Sequence, residues 1–529
     1  MFRIRADRVR LYPNRTAPVR MGARALAFPA ERPESRRVRP AGGGRPGRDG
    51  ERAPFVLRLS FFAALLAGTA ARLVLAFGRP LWADEVFTLS LARRPLGALV
   101  DALRVDSGPP LHYLAAKLLL LPFPAPGPAD VLVRLLSVAA SLLHVPLLLA
   151  IGRRARAGRS ANVAAALFLV LPLAVVSGAE GRGYALASFL SLACFERLAA
   201  LREAPRTRTA VAAGLLGGAA FLTHYLALLP VAGAFLASLG DRRRRGPALL
   251  GGALAALLAA AWLPVALAQP RASMAWAAAQ PLGERALQFA ANLGLGLPAD
   301  PGAARLLAPF ALAVLGFALL LGRGRARVPA AAPLLLGLAL LAPLVLWSGA
   351  ALLPDRTALL LLPLVALVLA ESGPLLSAVA GLTGPAVLVA SFPGLLRTTP
   401  GAELAKALEP RVKAGSRVVA AELWGPELDY RLARAGLPGR VALYPSDVAR
   451  HPGWYDEGDV DVARLATEAA SAISGADART HFVFSPLTRA GRALASALVP
   501  AGGRRAASAG VFEVWVIPRA TPNPEGAAP

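Results

Sequence analysis

The stretch "FVLRLSFFAALLAGTAARLVLAFGRPLWADE" (residues 55–85) places an apolar run of helix length directly before two adjacent acids. A run from 55 to about 77 is long enough to cross a hydrocarbon layer of about 30 Å. Similar Leu/Ala/Val runs recur up to residue 397, separated by short arginine-rich or polar gaps. With 56% apolar residues among 529 and a mean hydropathy of +0.52, the chain is predicted to be a polytopic membrane protein.

The formal net charge of +26 raises the alternative of a nucleic-acid-binding protein. The positive charge lies mainly in the N-terminal tail and in short clusters between apolar runs, and no base-stacking aromatic residues are interleaved with it. The single cysteine, Cys194, excludes a disulfide within the chain, and the GxxxxGK[ST] loop of ATP-driven pumps does not occur. We therefore expect membrane lipid, and no nucleic acid, among the partners.

Residues 1–54 are rich in Arg, Pro and Gly, and Met21 is an alternative initiator. Such a segment buries too little apolar surface to fold, so it is predicted to be a disordered basic tail. The positive-inside rule places this tail in the cytoplasm. The first span then delivers Asp84 and Glu85 to the outer side of the membrane.

The segment "PPLHYLAAKLLLLPFP" (109–124) decides the rest of the topology. It is bracketed by prolines and short for a crossing, so we interpret it as an interfacial helix on the outer surface. Tyr113 and Lys117 share one face of this helix. Four basic clusters then all fall in the cytoplasm, as the positive-inside rule requires. These clusters are residues 152–159, 201–208, 241–245 and 322–327.

Eleven spans are predicted, and this odd number leaves the C-terminus outside. They cover residues 55–77, 131–151, 160–178, 183–200, 209–222, 225–240, 247–268, 303–322, 329–350, 357–372 and 375–396. Residues 398–529 differ in kind, because short β-rich runs alternate there with helical ones. This pattern predicts a small extracytoplasmic α/β domain after a transmembrane domain of residues 55–397, whose outer loop covers 78–130.

This topology sorts the acids and histidines to one side of the membrane. The outer side holds "DE" (84–85), "RVDSGPPLHY" (104–113), "EGRGY" (180–184), "THY" (223–225) and "PDR" (354–356). Ionisable groups at the membrane boundary tend to be functional. An aspartate there can act as general base on a hydroxyl, and arginines at the same level can neutralise a phosphate.

Structural interpretations of the same residues stay open at this point. The acids at 84–85 are also typical of a helix cap, and Asp106 of a turn before Gly-Pro-Pro. His112 and His224 are also typical of interfacial hydrogen bonding, and a snorkelling anchor is the alternative for Arg182. Arg134, early in a span, either anchors to headgroups or pairs with an acid.

The order of these motifs resembles the GT-C glycosyltransferases. "DE" follows the first span, D-x-x-PPL-H-Y comes about 22 residues later, and R-x-Y opens a later helix. The resemblance is to the bacterial branch of the dolichyl-phosphate-mannose–protein mannosyltransferase and aminoarabinose transferase superfamily (glycosyltransferase family 39-like). It extends over residues 55–400 and is strongest over 81–113, and it implies a GT-C-like helical membrane fold.

The resemblance implies a role for each motif residue. Asp84 matches the catalytic base, and Glu85 the second acid, which supports catalysis or positions the acceptor. By the same resemblance Arg182 and Arg356 are candidates for binding the polyprenyl-phosphate group, and the further candidates for donor-phosphate or substrate binding are Asp106, His112, Lys117, Tyr184 and His224. One departure is that Thr357 follows Arg356 where the family commonly has tyrosine.

The implied reaction is an inverting displacement. A sugar passes from a polyprenyl-phosphate donor to a protein, lipid or glycan acceptor on the outer face of the inner (plasma) membrane. Some GT-C enzymes use a metal, but no compact ligand spacing such as HExxH occurs here, so we expect that no cofactor is required. The alternatives are a transporter or flippase of lipid-linked sugars and a non-catalytic envelope scaffold.

Overall fold

The computed structural model describes most of the chain after the predicted tail. The described residues are 48–125, 127–269, 281–295, 301–322, 328–348, 355–396, 399–413, 415–421, 424–437, 441–450 and 461–518. Residues Ala53–Pro529 form one compact unit, so the boundary placed at 397/398 stays a prediction.

The described residues up to 396 are mostly helical. The helices are α1 (Arg48–Gly78), α2 (Ala83–Arg93), α3 (Leu96–Arg104), α4 (Leu111–Leu120), α5 (Leu132–Leu142), α6 (His144–Arg154), α7 (Gly158–Val170), α8 (Pro172–Gly178), α9 (Tyr184–Ala200), α10 (Thr207–Thr223), α11 (Leu228–Leu239), α12 (Arg242–Ala268), α13 (Leu282–Leu295), α14 (Pro301–Leu321), α15 (Ala331–Ser348), α16 (Leu362–Ser372) and α17 (Pro374–Leu395). Short 3₁₀ turns cover Pro128–Val131, Tyr225–Ala227 and Asp355–Leu360. Except for a few residues at their ends and junctions, the described residues of each predicted span lie in one helix or in consecutive helical segments. This helical part fits an integral membrane protein.

Several of these helices are short or bent. Among the described residues, four helices are long and apolar enough to cross a membrane, or five if α7 and α8 form one broken span with a 61° bend. The bend falls at Pro172, which has no N–H to continue the helix. Fully buried Arg72 donates to the carbonyl oxygens of Leu169 (2.7 Å) and Phe168 (3.5 Å) beside this break. The count of eleven spans stays a prediction.

Small residues let the central helices pack closely. A Cβ atom added at Gly214 of α10 would lie 2.5 Å from the carbonyl oxygen of Gly251 on α12. Close backbone approach through such residues is how helices associate in lipid, where apolar burial alone gives little driving force. Nearby Ala210 and Ala213 are fully buried in the same core cluster.

The segment between the first and second predicted spans folds into three short helices, α2, α3 and α4. The sequence predicted only the last of them. With 10 residues α4 is about 15 Å long, too short to cross a bilayer, and this length agrees with an interfacial helix. It packs against α2, which carries the two adjacent acids.

A five-stranded sheet follows the helical part, with strand order β2-β1-β3-β5-β4. The strands are β1 (Arg417–Ala421), β2 (Val441–Tyr444), β3 (Thr480–Phe484), β4 (Arg504–Ala509) and β5 (Phe512–Val516), and the helices are α18 (Pro400–Leu408), α19 (Trp424–Arg434), α20 (Asp447–Arg450), α21 (Val462–Ser474) and α22 (Arg489–Leu498). Strand β1 pairs in parallel with β2 and β3, and β5 pairs antiparallel with β3 and β4. Four strands fall in the β-rich runs of the sequence, whereas the polar, mostly exposed edge strand β4 was not predicted.

Candidate active site

The two adjacent acids lie in the first turn of α2 and point in different directions. The side chain of Asp84 is 43% exposed, whereas that of Glu85 is fully buried. Consecutive residues of a helix are about 100° apart around its axis, so one acid faces the protein while the other faces solvent. Glu85 also accepts a hydrogen bond from the backbone N–H of Trp82 (3.1 Å), which caps the helix.

Glu85 forms a buried ion pair with Arg134 of α5. Its Oε1 accepts from Nε at 2.7 Å and its Oε2 from Nη2 at 2.5 Å, a bidentate pair. The backbone N–H of Gly181 donates to Oε1 at 2.8 Å. Arg134 also donates to the carbonyl oxygens of Ala76 and Arg79, both at 2.7 Å. Glu85, at the start of α2, is thus linked through Arg134 to the end of α1 and through Gly181 to the turn before α9. Of the two roles left open for Arg134, pairing with an acid is the one that the structure has.

The turn "EGRGY" brings Arg182 to Asp84. The nearest nitrogen of Arg182 lies 3.7 Å from Oδ2 of Asp84, and another nitrogen donates to the Asp84 carbonyl oxygen at 3.3 Å. The flanking glycines allow this approach. A Cβ atom at Gly181 would lie 2.8 Å from Val133, and one at Gly183 would lie 3.0 Å from the Thr223 carbonyl oxygen.

Three further side chains form a second set of ion pairs, which adjoins the first through the "EGRGY" turn and Trp82. Glu180, 4% exposed, lies between Arg79 (3.8 Å) and Arg356 (3.2 Å). The guanidinium of Arg356 also stacks over the ring of Trp82, 4.6 Å from its centroid. We call Arg79, Asp84, Glu180, Arg182 and Arg356 the charge cluster. It holds three arginines and two carboxylates.

The electrostatics of the cluster centre on Arg182. Burial alone would lower the pKa of its guanidinium, but the charges of Asp84, Tyr113, Tyr184 and Asp106 raise it above the ordinary value. Arg182 therefore stays protonated in a partly desolvated position. Such a cation is suited to an anionic phosphate.

Asp106, His112 and Tyr113 lie beside Arg182 and are all nearly buried. The Tyr113 hydroxyl lies 3.4 Å from Oδ2 of Asp106, and Nε2 of His112 lies 3.2 Å from the Gly181 carbonyl oxygen. Burial, reinforced by Arg182, lowers the pKa of His112 to about 4, so its imidazole is neutral at physiological pH. In the described part of the chain, Nδ1 of His112 is buried without a hydrogen-bond partner.

Of the remaining predicted site residues, Tyr184 and His224 lie beside Arg182, whereas Lys117 lies farther away. The rings of Tyr184 and His224 are 4.9 Å apart, and burial together with Arg182 lowers the pKa of His224 to about 4. Lys117 instead donates to the carbonyl oxygen of Arg94 at 2.7 Å. That contact stabilises the C-terminal end of α2, about 15 Å along the helix from Asp84. The structure therefore does not bring Lys117 into the charge cluster.

Sequence reasoning missed two members of the cluster, Arg79 and Glu180. Arg79 follows the last residue of α1, and Glu180 opens the same "EGRGY" turn that was singled out for Arg182. Both residues lie near motif residues in the sequence, and this position could have marked them as site candidates. The sequence does not show which residues they pair with. Among the described residues, no group of three or more His, Cys, Asp and Glu side chains could hold a metal ion, and the expectation of no required cofactor stays a prediction.

Comparisons with known proteins give one sequence match and several structural ones. Residues 107–265 match the model of the family described as dolichyl-phosphate-mannose-protein mannosyltransferase. The chain is similar to the structure of ArnT from Cupriavidus metallidurans in the apo state, with 16% identity, a TM-score of 0.46 and coverage of 88% of this chain and 98% of that one. The structure of the same protein bound to undecaprenyl phosphate gives 16% identity, a TM-score of 0.45 and coverage of 88% and 99%. The oligosaccharyltransferase of Archaeoglobus fulgidus, in complex with Zn and sulfate, gives 12% identity, a TM-score of 0.42 and coverage of 70% and 61%. No curated protein matches the chain.

The family match contains two of the motifs that carried the resemblance. It begins directly after Asp106 and includes the "PPLHY" helix and the "EGRGY" turn, while the "DE" pair lies before it. The match therefore confirms the resemblance of this membrane protein to the GT-C glycosyltransferases of the dolichyl-phosphate-mannose–protein mannosyltransferase superfamily.

Proposed function

We propose that the protein transfers a sugar from a polyprenyl-phosphate donor to an acceptor hydroxyl on the extracytoplasmic face of the inner membrane. The observation that carries this proposal is the half-exposed carboxylate of Asp84, 3.7 Å from Arg182 in a cluster of three arginines. A base beside several cations is what a displacement of a phosphate leaving group needs. The lipid-phosphate donor follows the matched family, whose description names dolichyl-phosphate-mannose.

In the proposed reaction Asp84 takes the proton of the acceptor hydroxyl. The acceptor oxygen forms a bond to the anomeric carbon as the bond from that carbon to the phosphate oxygen breaks, with inversion. The bonding electrons go to the leaving polyprenyl phosphate, which Arg182 and Arg356 neutralise. Glu85 holds the first turn of α2 in place through Arg134 and does not contact the reacting atoms.

The buried polar residues beside the cluster are proposed to hold the sugar. His112 offers a buried Nδ1, and Asp106 and Tyr184, which both interact electrostatically with Arg182, offer oxygen atoms. Neutral imidazole and carboxylate groups are suited to sugar hydroxyls, which both donate and accept hydrogen bonds. For Lys117 we propose the stabilisation of α2 in place of phosphate binding, because its ammonium group already contacts the backbone there.

Transfer of radiolabelled sugar from a polyprenyl-phosphate donor in purified membranes tests the proposal. Wild type is compared with Asp84→Asn at matched expression, and Asp101→Asn, an exposed acid in α3 paired with Arg104, is the control. Wild type and the control should transfer label, whereas Asp84→Asn should lose at least about 10²-fold in rate, as is typical when a general base is removed. Equal transfer by Asp84→Asn would remove this residue from the chemistry.

The same assay separates the alternative functions. Label that crosses the bilayer on its lipid without reaching an acceptor would support a transporter or flippase. If neither the transfer of label to an acceptor nor its movement across the bilayer depends on this protein, a scaffold function would be supported. No contact in the described residues favours either alternative over the transferase.

A further inference from the structure

The helix that carries Asp84 is in contact with the sheet-containing part of the chain. Helix α19 packs against α2, and Tyr430 belongs to a small apolar cluster with Leu81, Val86 and Leu89. Two consecutive residues of α19 make polar contacts at the two ends of α2.

At the N-terminal end, Arg431 contacts the backbone directly before the first turn of α2. Its Nη2 donates to the Leu81 carbonyl oxygen at 2.6 Å. The same guanidinium is held by Glu427, with Nε at 2.9 Å from Oε1, and by the Thr399 hydroxyl at 2.9 Å. Glu427 is fully buried and the side chain of Arg431 is 14% exposed, so this contact is largely shielded from water. Leu81 lies three positions before Asp84.

At the C-terminal end, Tyr430 acts through Asp130. The Tyr430 hydroxyl donates to Oδ2 of Asp130 at 2.7 Å, and Oδ1 of this fully buried carboxylate pairs with Arg93, the last residue of α2. The backbone N–H of Gly127 donates to Asp130 as well, at 3.0 Å. A charge-assisted network of this kind is stronger than the same number of neutral hydrogen bonds.

We propose that Tyr430 and Arg431 are positioning residues that hold α2 in place, and with it Asp84 beside Arg182. The inference rests on the proposed function, in which Asp84 is the base. It gives the C-terminal part of the chain a direct role in the geometry of the reaction, beyond any recognition of the acceptor. Short helices such as α2 need tertiary contacts to stay formed, and those contacts come from both parts of the chain.

Hydrogen–deuterium exchange of the purified full-length protein in detergent micelles tests the contact without relying on activity. The variants are Arg431→Gln and the milder Tyr430→Phe, which removes one hydroxyl. Arg479→Gln is the matched control, because it removes the same charge from an exposed pair with Asp477 in the sheet region. Peptides covering α2 should exchange roughly tenfold faster in Arg431→Gln, the change expected for one lost charge-assisted hydrogen bond. Peptides covering β3 should be unchanged.

Steady-state transfer by the same variants tests the positioning role. A displaced base lowers kcat and leaves the donor KM near the wild-type value, whereas partial unfolding would accelerate exchange in β3 together with α2. Unchanged exchange in α2 of both variants would overturn the inference, and so would faster exchange with wild-type kcat. If α2 exchanges faster in the variants but the wild-type protein transfers no sugar, the contact is supported and the proposed function is refuted.

Discussion

Replacing Glu85 with glutamine removes the charge from the buried pair with Arg134 and keeps the shape of the side chain. Both side chains are fully buried, and the two direct hydrogen bonds measure 2.7 and 2.5 Å. Removing one partner of a buried ion pair costs about 3–5 kcal/mol, because the other charge is left without its partner. Arg134 keeps its bonds to three carbonyl oxygens, so we expect a loss near the lower end, about 3 kcal/mol.

Denaturant unfolding of the purified protein in detergent, followed by tryptophan fluorescence, measures this loss. Arg134→Met should cost a similar amount, and the double variant Glu85→Gln/Arg134→Met should cost less than the sum, because it leaves neither charge unpaired. Asp101→Asn, from an exposed pair, should change the free energy of unfolding by less than about 1 kcal/mol. Wild-type stability in Glu85→Gln would refute a stabilising ion pair. Full stability with lost transfer would instead give Glu85 a part in the chemistry.

Three further predictions concern residues in or beside the charge cluster. The pKa of His112 is lowered from 6.5 to about 4 in the folded protein. Between these two pH values the unfolded chain binds a proton at His112 that the folded protein does not bind. His112 alone should therefore cost wild type about 2 kcal/mol of stability between pH 7 and pH 5, and His112→Asn should lose less than wild type by about that amount in the same unfolding assay. Gly183→Ala should destabilise by about 1–3 kcal/mol in that assay, because the added Cβ would lie 3.0 Å from the Thr223 carbonyl oxygen. Arg182→Gln should lower kcat by about 10²-fold with a smaller change in donor KM in steady-state transfer; an effect on KM alone would contradict its role.

The helices of the membrane part were predictable because each long apolar run marks where a helix lies in the sequence. The residues of the "DE" and "PPLHY" motifs could be singled out for a different reason, because each motif is one contiguous stretch of the sequence. Only three of the five members of the charge cluster were predicted, because Glu180 pairs with Arg79 and Arg356 from distant parts of the chain, and long-range ion pairs leave no periodic pattern. Helices α2 and α3 escaped prediction because they are short and depend on tertiary contacts. Strand β4 escaped because its sequence, RRAASA, has the polarity of a loop.

The pairing of Asp84 with Arg182 has a consequence for how charge moves in the proposed reaction. Before transfer, the base carries one negative charge and the donor phosphodiester another. After transfer, Asp84 is protonated and neutral, and the polyprenyl phosphate carries a charge close to −2, so one negative charge has passed from base to leaving group. Arg182 loses its partner at 3.7 Å at the moment when the phosphate gains charge, and its interaction is therefore stronger in the transition state than in the ground state. Glu180 lies between Arg79 and Arg356 and pairs with both, so it competes with the leaving phosphate for Arg356.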